Sequence, residues 1–170
     1  MDPIYRQATI RGILGTIFFV VLIFGSAGTF HYWQGWLFLS VFATVTTAFT
    51  VYLALHDRPL LERRLKAGPG YENESSQKLI VSLIFLLFFA IMILPALDHR
   101  YGWSTVPASV TVLGNVLVVF SFYAIFRVVQ ANSFAASNIR VERDQKVIDT
   151  GPYAKVRHPM YAGTLWLIIG

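Results

Sequence analysis

The chain has 170 residues, of which 55% are hydrophobic and 14% are charged. This balance excludes an ordinary soluble domain and predicts a polytopic membrane protein. The absence of cysteine excludes disulfides, thiolate metal sites and a cysteine nucleophile, and the four scattered histidines predict no bound metal. The net charge of +5 is typical of membrane topology signals, so no nucleic-acid partner is expected.

Four long hydrophobic runs follow one another, each close to the ~20 residues that cross a bilayer core. They predict an all-α polytopic membrane helix bundle that forms a single integral-membrane domain over residues 1–170. Few residues separate the first two runs, which predicts an antiparallel hairpin. The predicted spans cover residues 12–30, 33–55, 79–97 and 106–129.

The second span and the loop after it carry two further patterns. Small residues at helical spacing predict a closely packed face on the second span: Ser40, Ala43, Thr44, Thr47 and Thr50. In the loop, Leu60 and Leu61 lie beside Arg63 and Arg64. This amphipathic pattern predicts a short helix that lies on the cytoplasmic lipid surface.

Two residues stand out within the later spans. Pro95 lies near the end of the third span and should end or bend that helix. Asn115 lies in the middle of the fourth span. Because an intramembrane asparagine usually bridges two helices, we expect Asn115 to hold helices together.

The last part of the chain is a polar cytoplasmic loop over residues 130–158, followed by a fifth hydrophobic run. Alternation of Ile139 and Val141 favours a small β-hairpin or an extended segment in the loop. The fifth run covers residues 160–170, which is too short to cross a bilayer. We therefore expect four complete spans plus the start of a fifth, in a chain that is truncated within a helix.

The distribution of basic residues predicts the orientation. With the N-terminus in the cytoplasm, 13 of the 14 lysines and arginines fall on the cytoplasmic side. Only Arg100 falls on the other side. The positive-inside rule therefore predicts a multi-pass protein whose N-terminus and residues 130–158 are cytoplasmic.

Residues 151–163 form a polar turn against the start of the fifth run. Gly151 and Pro152 are a turn signal. Pro159 suits the first position of a helix, and it keeps His158 out of the helical region. The backbone N–H groups around Met160 to Ala162 then have no partner within the helix, and such a helix start is a ready anion site.

The side chains around this helix start fit a ligand with a carboxylate and a planar ring. Arg157 and His158 supply cationic or hydrogen-bonding groups, while Tyr153 and Tyr161 supply aromatic faces. Gly163 allows a ligand or another helix to come close. Taken singly, each residue fits an ordinary role at a membrane boundary. Their clustering within thirteen positions favours a binding site.

Residues 147–163 resemble the signature of the isoprenylcysteine carboxyl methyltransferase family, which includes related phospholipid N-methyltransferases and bacterial homologues. The resemblance is strong only in the C-terminal part of the chain; the first 130 residues agree only in being transmembrane helices. The matching residues are Gly151, Pro152, Tyr153, Arg157, His158, Pro159, Tyr161 and Gly163.

The resemblance implies an integral-membrane methyltransferase of the bacterial inner membrane that uses S-adenosylmethionine (SAM). Its acceptor would be a lipophilic or prenylated molecule that enters from the surrounding membrane lipid, foremost an isoprenylcysteine-type carboxylate or a similar small lipophilic acid. Arg157 is the catalytic candidate, as the cation that orients the acceptor carboxylate. The implied cofactor-binding residues are Tyr153, His158, Pro159, Met160, Tyr161, Ala162 and Gly163.

The family also carries an acidic motif and an arginine-containing tail after the next span. These would follow Gly170, so we expect this chain to contribute one wall of the pocket and to be inactive by itself. Three alternatives remain open. A phospholipid or amine N-methyltransferase would need His158 as a general base. An NADPH-dependent membrane reductase of the sterol-reductase type would need more cations, and a non-enzymatic membrane protein would use its basic loops to bind lipid or a partner.

Overall fold

The computed structural model describes residues 2–66, 68–71, 74–132 and 148–170. These residues form six α-helices, two 3₁₀ turns and no strand. Four helices are long and apolar enough to cross a membrane, which confirms the all-α polytopic bundle of an integral membrane protein. The hairpin predicted after residue 130 falls on residues 133–147, outside the described residues. The helices are α1 (Pro3–Ala27), α2 (Trp33–His56), α3 (Arg58–Leu65), α4 (Ser75–Tyr101), α5 (Ala108–Ala131) and α6 (Pro159–Ile169), and the 3₁₀ turns are Pro69–Tyr71 and Gly151–Ala154.

The helix ends lie in polar flanks that the hydrophobic runs do not include. α1 starts well before residue 12 because the Asp2 side chain accepts a hydrogen bond from the Ile4 N–H at 3.0 Å. Pro3 occupies the first helical position, where its missing N–H does no harm. α1 ends at Gly28, whose φ of 68° is left-handed. Hydrophobicity therefore predicts the membrane-crossing part, and the caps set the length.

Of the two effects predicted for Pro95, it does not end its helix, because α4 continues to Tyr101. A proline removes only one helical hydrogen bond, and here that bond would have reached the carbonyl of Ile91. The helix closes at Gly102, with φ 64°, whose N–H donates to the Asp98 carbonyl at 2.8 Å. One helical carbonyl of α4 is thus left without its usual donor.

The long helices form a row in the order α4, α1, α2, α5, α6, in which each packs on its neighbours. Edge-to-face aromatic pairs mark these contacts, with ring centroids 5.3 Å apart for Phe18 and Phe89 and 5.7 Å apart for Phe42 and Phe122. Because α4 lies on α1 while α5 lies on α2 and α6, the consecutive helices α4 and α5 are held apart.

The bundle has two distinct ends. The start of α1, α3 and the start of α6 lie at the end that we call the motif end. The α1–α2 and α4–α5 connections lie at the other, which we call the turn end, where the rings of Tyr32 and His99 stack at 4.5 Å. Each end has its own buried apolar cluster, formed at the turn end by Ile23, Phe24, Ala27, Tyr32, Leu39 and Ala96 and at the motif end by Leu53, Leu60, Leu61 and Val129.

α3 packs into the motif end and does not simply lie on a lipid surface as its amphipathic pattern predicted. Leu60 and Leu61 are 0% and 3% exposed and belong to one cluster with Leu53 and Val129. The Asp57 side chain caps the helix by accepting a hydrogen bond from the Leu60 N–H at 3.0 Å. The apolar face of α3 therefore packs on the ends of α2 and α5. The arginines of α3 lie at the motif end together with it.

The predicted small-residue face of α2 is wrong, because Ser40, Thr44 and Thr47 are exposed. The close small-residue contact joins α5 and α6 instead. An added Cβ on Gly114 would lie 2.5 Å from the Gly170 carbonyl oxygen, so the two backbones nearly touch there. Small residues do mark a close helix crossing in this membrane protein, but on helices that the α2 pattern did not indicate.

Candidate functional site

The 3₁₀ turn Gly151–Ala154 leads the chain into α6. Gly151 has a φ of 59°, a conformation that favours glycine, and the N–H groups of Lys155 and Val156 both donate to the Pro152 carbonyl. Tyr153 is half-buried, and its hydroxyl accepts a hydrogen bond from Asn132 Nδ2 at 3.0 Å. Tyr153 thus fastens the turn to the end of α5.

α6 begins at Pro159, as its sequence predicts. His158 precedes it with φ −128° and ψ 66°, outside the helical region, and no side chain caps the helix. Contrary to expectation, the Ala162 N–H is not free, because it donates to the His158 carbonyl at 3.2 Å. The N–H groups of Met160 and Tyr161 have no acceptor among the described residues, so these two are free to donate to a ligand.

The predicted site residues of α6 lie on three different faces of the helix. Pro159 and Gly163 are buried, whereas Met160 is half-buried and belongs to the apolar cluster of the motif end. Tyr161 is 69% exposed, and its ring centroid lies 5.6 Å from that of the exposed His158. The structure therefore brings Tyr161 and His158 together, but directs them away from the cluster that holds Met160.

Gly163 faces α5. A Cβ at this position would lie 3.0 Å from Ile125 Cγ1, and the Gly163 carbonyl accepts a hydrogen bond from the fully buried Ser121 hydroxyl at 2.8 Å. The sequence allowed either a ligand or a helix beside Gly163, and the structure shows a helix. Gly163 supports the site by seating α6.

A cleft of about 560 Å³ lies between α5, the 3₁₀ turn and the first turns of α6. Phe120 and Trp166 line it as an edge-to-face pair at 5.8 Å, and Arg127 and Lys155 bring two positive charges. Of the predicted site residues, Pro159, Ala162 and Gly163 line the cleft. Apolar walls with two cations suit an amphiphile that carries an anionic group.

Arg157, the predicted catalytic residue, does not line this cleft; it is exposed in the link between the 3₁₀ turn and α6. The arginine that does line the cleft is Arg127, whose Nη1 donates to the Tyr123 hydroxyl at 3.1 Å. Sequence reasoning missed Arg127 because it sits within the last turns of a transmembrane helix, where a lone arginine is typical of a lipid-boundary residue.

Arg64 of α3 is a half-buried cation beside the first turn of α6. Its Nη2 lies 3.9 Å from Met160 Sδ, and its guanidinium lies 5.1 Å from the centroid of the Phe49 ring. Its Nε is buried without a hydrogen-bond partner, and no carboxylate among the described residues pairs with it. Burial lowers the pKa of Arg64 to about 10, so the guanidinium stays charged at neutral pH.

Arg64 and the two free N–H groups together make the start of α6 electrostatically positive. The helix dipole adds to this field, which favours an anion near the start of α6. Sequence reasoning missed Arg64 because it counted the residue among the lipid-facing cations. Its spacing held a signal: Arg64 follows Leu60 by four residues and Leu61 by three, which places it on the buried face of α3.

No family model matches the sequence, and neither a curated protein nor a solved structure matches the chain. The resemblance of residues 147–163 to the methyltransferase signature thus stays a prediction. The described residues contain no group of histidine and carboxylate side chains that could hold a metal ion. The site is defined by its residues and its geometry: an uncapped helix start, a half-buried arginine and a cation-lined cleft.

Proposed function

We propose that this protein is an integral-membrane methyltransferase that binds SAM at the motif end and methylates a lipophilic acid, with isoprenylcysteine-type carboxylates as the leading acceptor class. The observation that carries the proposal is Arg64, a half-buried cation beside the uncapped start of α6 whose buried Nε has no hydrogen-bond partner. A buried polar group without a partner is costly, and its retention at this place is typical of a site that takes up an anion.

The start of α6 would bind the amino-acid carboxylate of SAM. The N–H groups of Met160 and Tyr161 would donate to that carboxylate, and the Arg64 guanidinium would supply a charge-assisted hydrogen bond. The exposed rings of His158 and Tyr161 offer flat faces for the adenine. An aromatic face near the sulfonium would add cation–π attraction.

The cleft between α5 and α6 would hold the acceptor. Phe120 and Trp166 fit its lipophilic part, and both side chains are partly exposed beside the cleft. Arg127 and Lys155 fit its carboxylate. Among the described residues that line the cleft there is no carboxylate to receive an amine, which favours the acid over the phospholipid or amine alternative.

The chemistry then needs little from the protein beyond positioning. When bound, SAM supplies the methyl group, which a carboxylate oxygen attacks in line as the carbon–sulfur bond breaks, and no proton is released. A carboxylate is already nucleophilic, so Arg127 and Lys155 orient it and no general base is required. The catalytic contribution would come from alignment and from exclusion of water.

Calorimetric titration of the full-length protein in lipid nanodiscs with SAM tests the proposal. Arg64→Met should weaken SAM binding by roughly tenfold or more, because a hydrogen bond to a charged group contributes about 1.5–3 kcal/mol. Arg6→Met is the matched control, since Arg6 is an exposed cation at the same end of the bundle. Absence of SAM binding by the unaltered protein would contradict the proposal. Binding of NADPH in its place would favour the reductase alternative, and binding of neither would favour the non-enzymatic one.

A further inference from the structure

A second cavity, of about 330 Å³, lies at the turn end of the bundle. It occupies the space between α4 and α5, and α2 and the end of α6 close it. The cavity contacts Leu167 but none of the residues in the first turn of α6. Because a helix rises about 1.5 Å per residue, Leu167 and that first turn are roughly 10 Å apart. The apolar walls of the cavity include Phe38, Phe42, Phe88 and Met92, and its polar residues near the helix connections are Tyr32, Asp98, His99 and Ser104.

Two residues that line this cavity carry buried hydrogen-bond acceptors without a matching donor. Asn115 Nδ2 donates to the Thr111 carbonyl of its own helix at 2.9 Å, so Asn115 does not bridge helices as predicted, and its buried Oδ1 has no partner. Gln34 Oε1 is also buried without a partner. A buried acceptor without a donor is unfavourable, and more so in a membrane.

The charged group of the cavity is also an acceptor. Asp98 is half-buried, its Oδ2 accepts a hydrogen bond from the Ser104 hydroxyl at 2.7 Å, and no cation among the described residues pairs with it. Tyr32 stays neutral, because burial and, to a smaller extent, the nearby Asp98 raise its pKa. The guanidinium of Arg100 lies over the Tyr101 ring, at 5.6 Å. The cavity therefore presents a negative charge, two unmatched acceptors and an apolar interior.

We propose that this cavity binds a lipophilic primary amine, whose ammonium group meets Asp98 while its hydrocarbon tail lies among the phenylalanine side chains. An ammonium group has three donors and no acceptor, which matches what the cavity lacks. An alcohol brings one donor and no charge. A carboxylate brings further acceptors and a like charge, so an acid of the same length should be rejected.

Binding of dodecylamine, dodecanol and dodecanoate to the protein in lipid nanodiscs tests this inference. The amine should bind most tightly and the acid least, and Asp98→Asn should weaken amine binding by about tenfold through loss of a charge-assisted contact. Glu74→Gln is the matched control, because it neutralises an exposed carboxylate at the motif end and should leave amine binding unchanged. Each variant is compared with the unaltered protein by use of the same probe, so effects of that probe on the lipid itself cancel.

A second variant protects the test against misfolding of Asp98→Asn, in which the Ser104 hydroxyl can donate only to an uncharged amide oxygen. Asn115→Leu removes a buried acceptor and fills part of the cavity, so it should weaken amine binding as well. A photoreactive alkylamine should crosslink to cavity residues such as Met92. Equal binding of the three probes, undiminished amine binding in both variants, or crosslinks elsewhere would overturn the inference. SAM takes no part in these measurements, so their outcome is independent of the proposed methyltransferase activity.

Discussion

The two ends of the bundle carry unmatched polar groups of opposite kind. At the motif end these are donors, the Arg64 guanidinium and the N–H groups of Met160 and Tyr161. At the turn end they are acceptors, the side-chain oxygens of Gln34 and Asn115, beside the carboxylate of Asp98. Inside a membrane neither kind can be satisfied by bulk water. The kind of unmatched group is the argument for the two proposed ligands, an anion at the motif end and a cation at the turn end.

The largest effect is expected from Gly163→Leu, which would remove the support of the motif end. A single added Cβ would already lie 3.0 Å from Ile125 Cγ1, so a leucine must push α6 off α5. Overpacking of this kind costs about 1–3 kcal/mol, and the bond from Ser121 would be lost as well. We expect a lower midpoint in detergent-induced unfolding and no measurable SAM binding.

The control for this change is Gly15→Ala, because no atom lies within 4 Å of an added Cβ on Gly15. It should be neutral or slightly stabilising, since alanine favours a helix over glycine by roughly 0.5–1 kcal/mol. If Gly163→Leu unfolds at the same midpoint as Gly15→Ala, α6 is not seated on α5 as described.

The next largest effect is expected from two variants that each weaken ligand binding at only one end of the bundle. Arg64→Met is expected to weaken SAM binding about tenfold and to leave dodecylamine binding unchanged, whereas Asp98→Asn is expected to do the reverse. Titration of both ligands into both variants gives the four affinities. Equal loss of both ligands in either variant would indicate a general structural defect instead of two independent sites.

The pH dependence of the free energy of unfolding should report the environment of Arg64. The pKa of Arg64 falls from its ordinary value to about 10 on folding, so between these values the unfolded chain holds a proton that the folded protein has lost. Stability then rises with pH through this window, by about 1 kcal/mol per pH unit near pH 11. Because lysines and tyrosines titrate there too, the measured quantity is the difference between the unaltered protein and Arg64→Met. A difference that does not change between pH 9 and about 11 would show that Arg64 is not held in a costly environment.

The smallest effect is expected from Tyr153→Phe. This change removes the hydroxyl that accepts a hydrogen bond from Asn132 Nδ2 and so loosens the 3₁₀ turn from α5. A single hydrogen bond contributes about 0.5–1.5 kcal/mol, which predicts a loss of SAM affinity of less than about tenfold with no change in dodecylamine binding. Unchanged SAM affinity would show that the turn is held by its backbone alone.

Sequence patterns predicted the helices but not the full length of each. Runs of apolar residues report the membrane-crossing part, because burial in lipid requires about 20 such residues. The ends depend on single polar or flexible residues such as Asp2 and Gly102, which hydrophobicity does not register. Pro95 was misjudged because one missing hydrogen bond is insufficient to end a helix that continues to a good cap.

The local part of the site was predictable, and the long-range part was not. Proline chemistry places the start of α6 at Pro159 with His158 outside the helix, and both follow from neighbouring residues alone. Arg64 reaches Met160 across 96 positions of sequence, and no local pattern records that contact. The roles of Gly163 and Asn115 likewise depended on which helix lies beside them, which requires the three-dimensional arrangement.

The contacts between α5 and α6 also fix the position of α6 along the axis of α5. Ser121 meets Gly163 and Gly114 meets Gly170, so two small-residue contacts recur at a spacing of seven residues on both helices. Sliding α6 by one turn, about 5.4 Å, would bring the bulky Trp166 or Leu167 opposite Ser121, and the helices would separate. The backbone at the start of α6 is therefore held at one height relative to α5. A lipid-borne substrate would have to present its reactive atom at that height, which makes the distance between headgroup and reactive atom a criterion for selection.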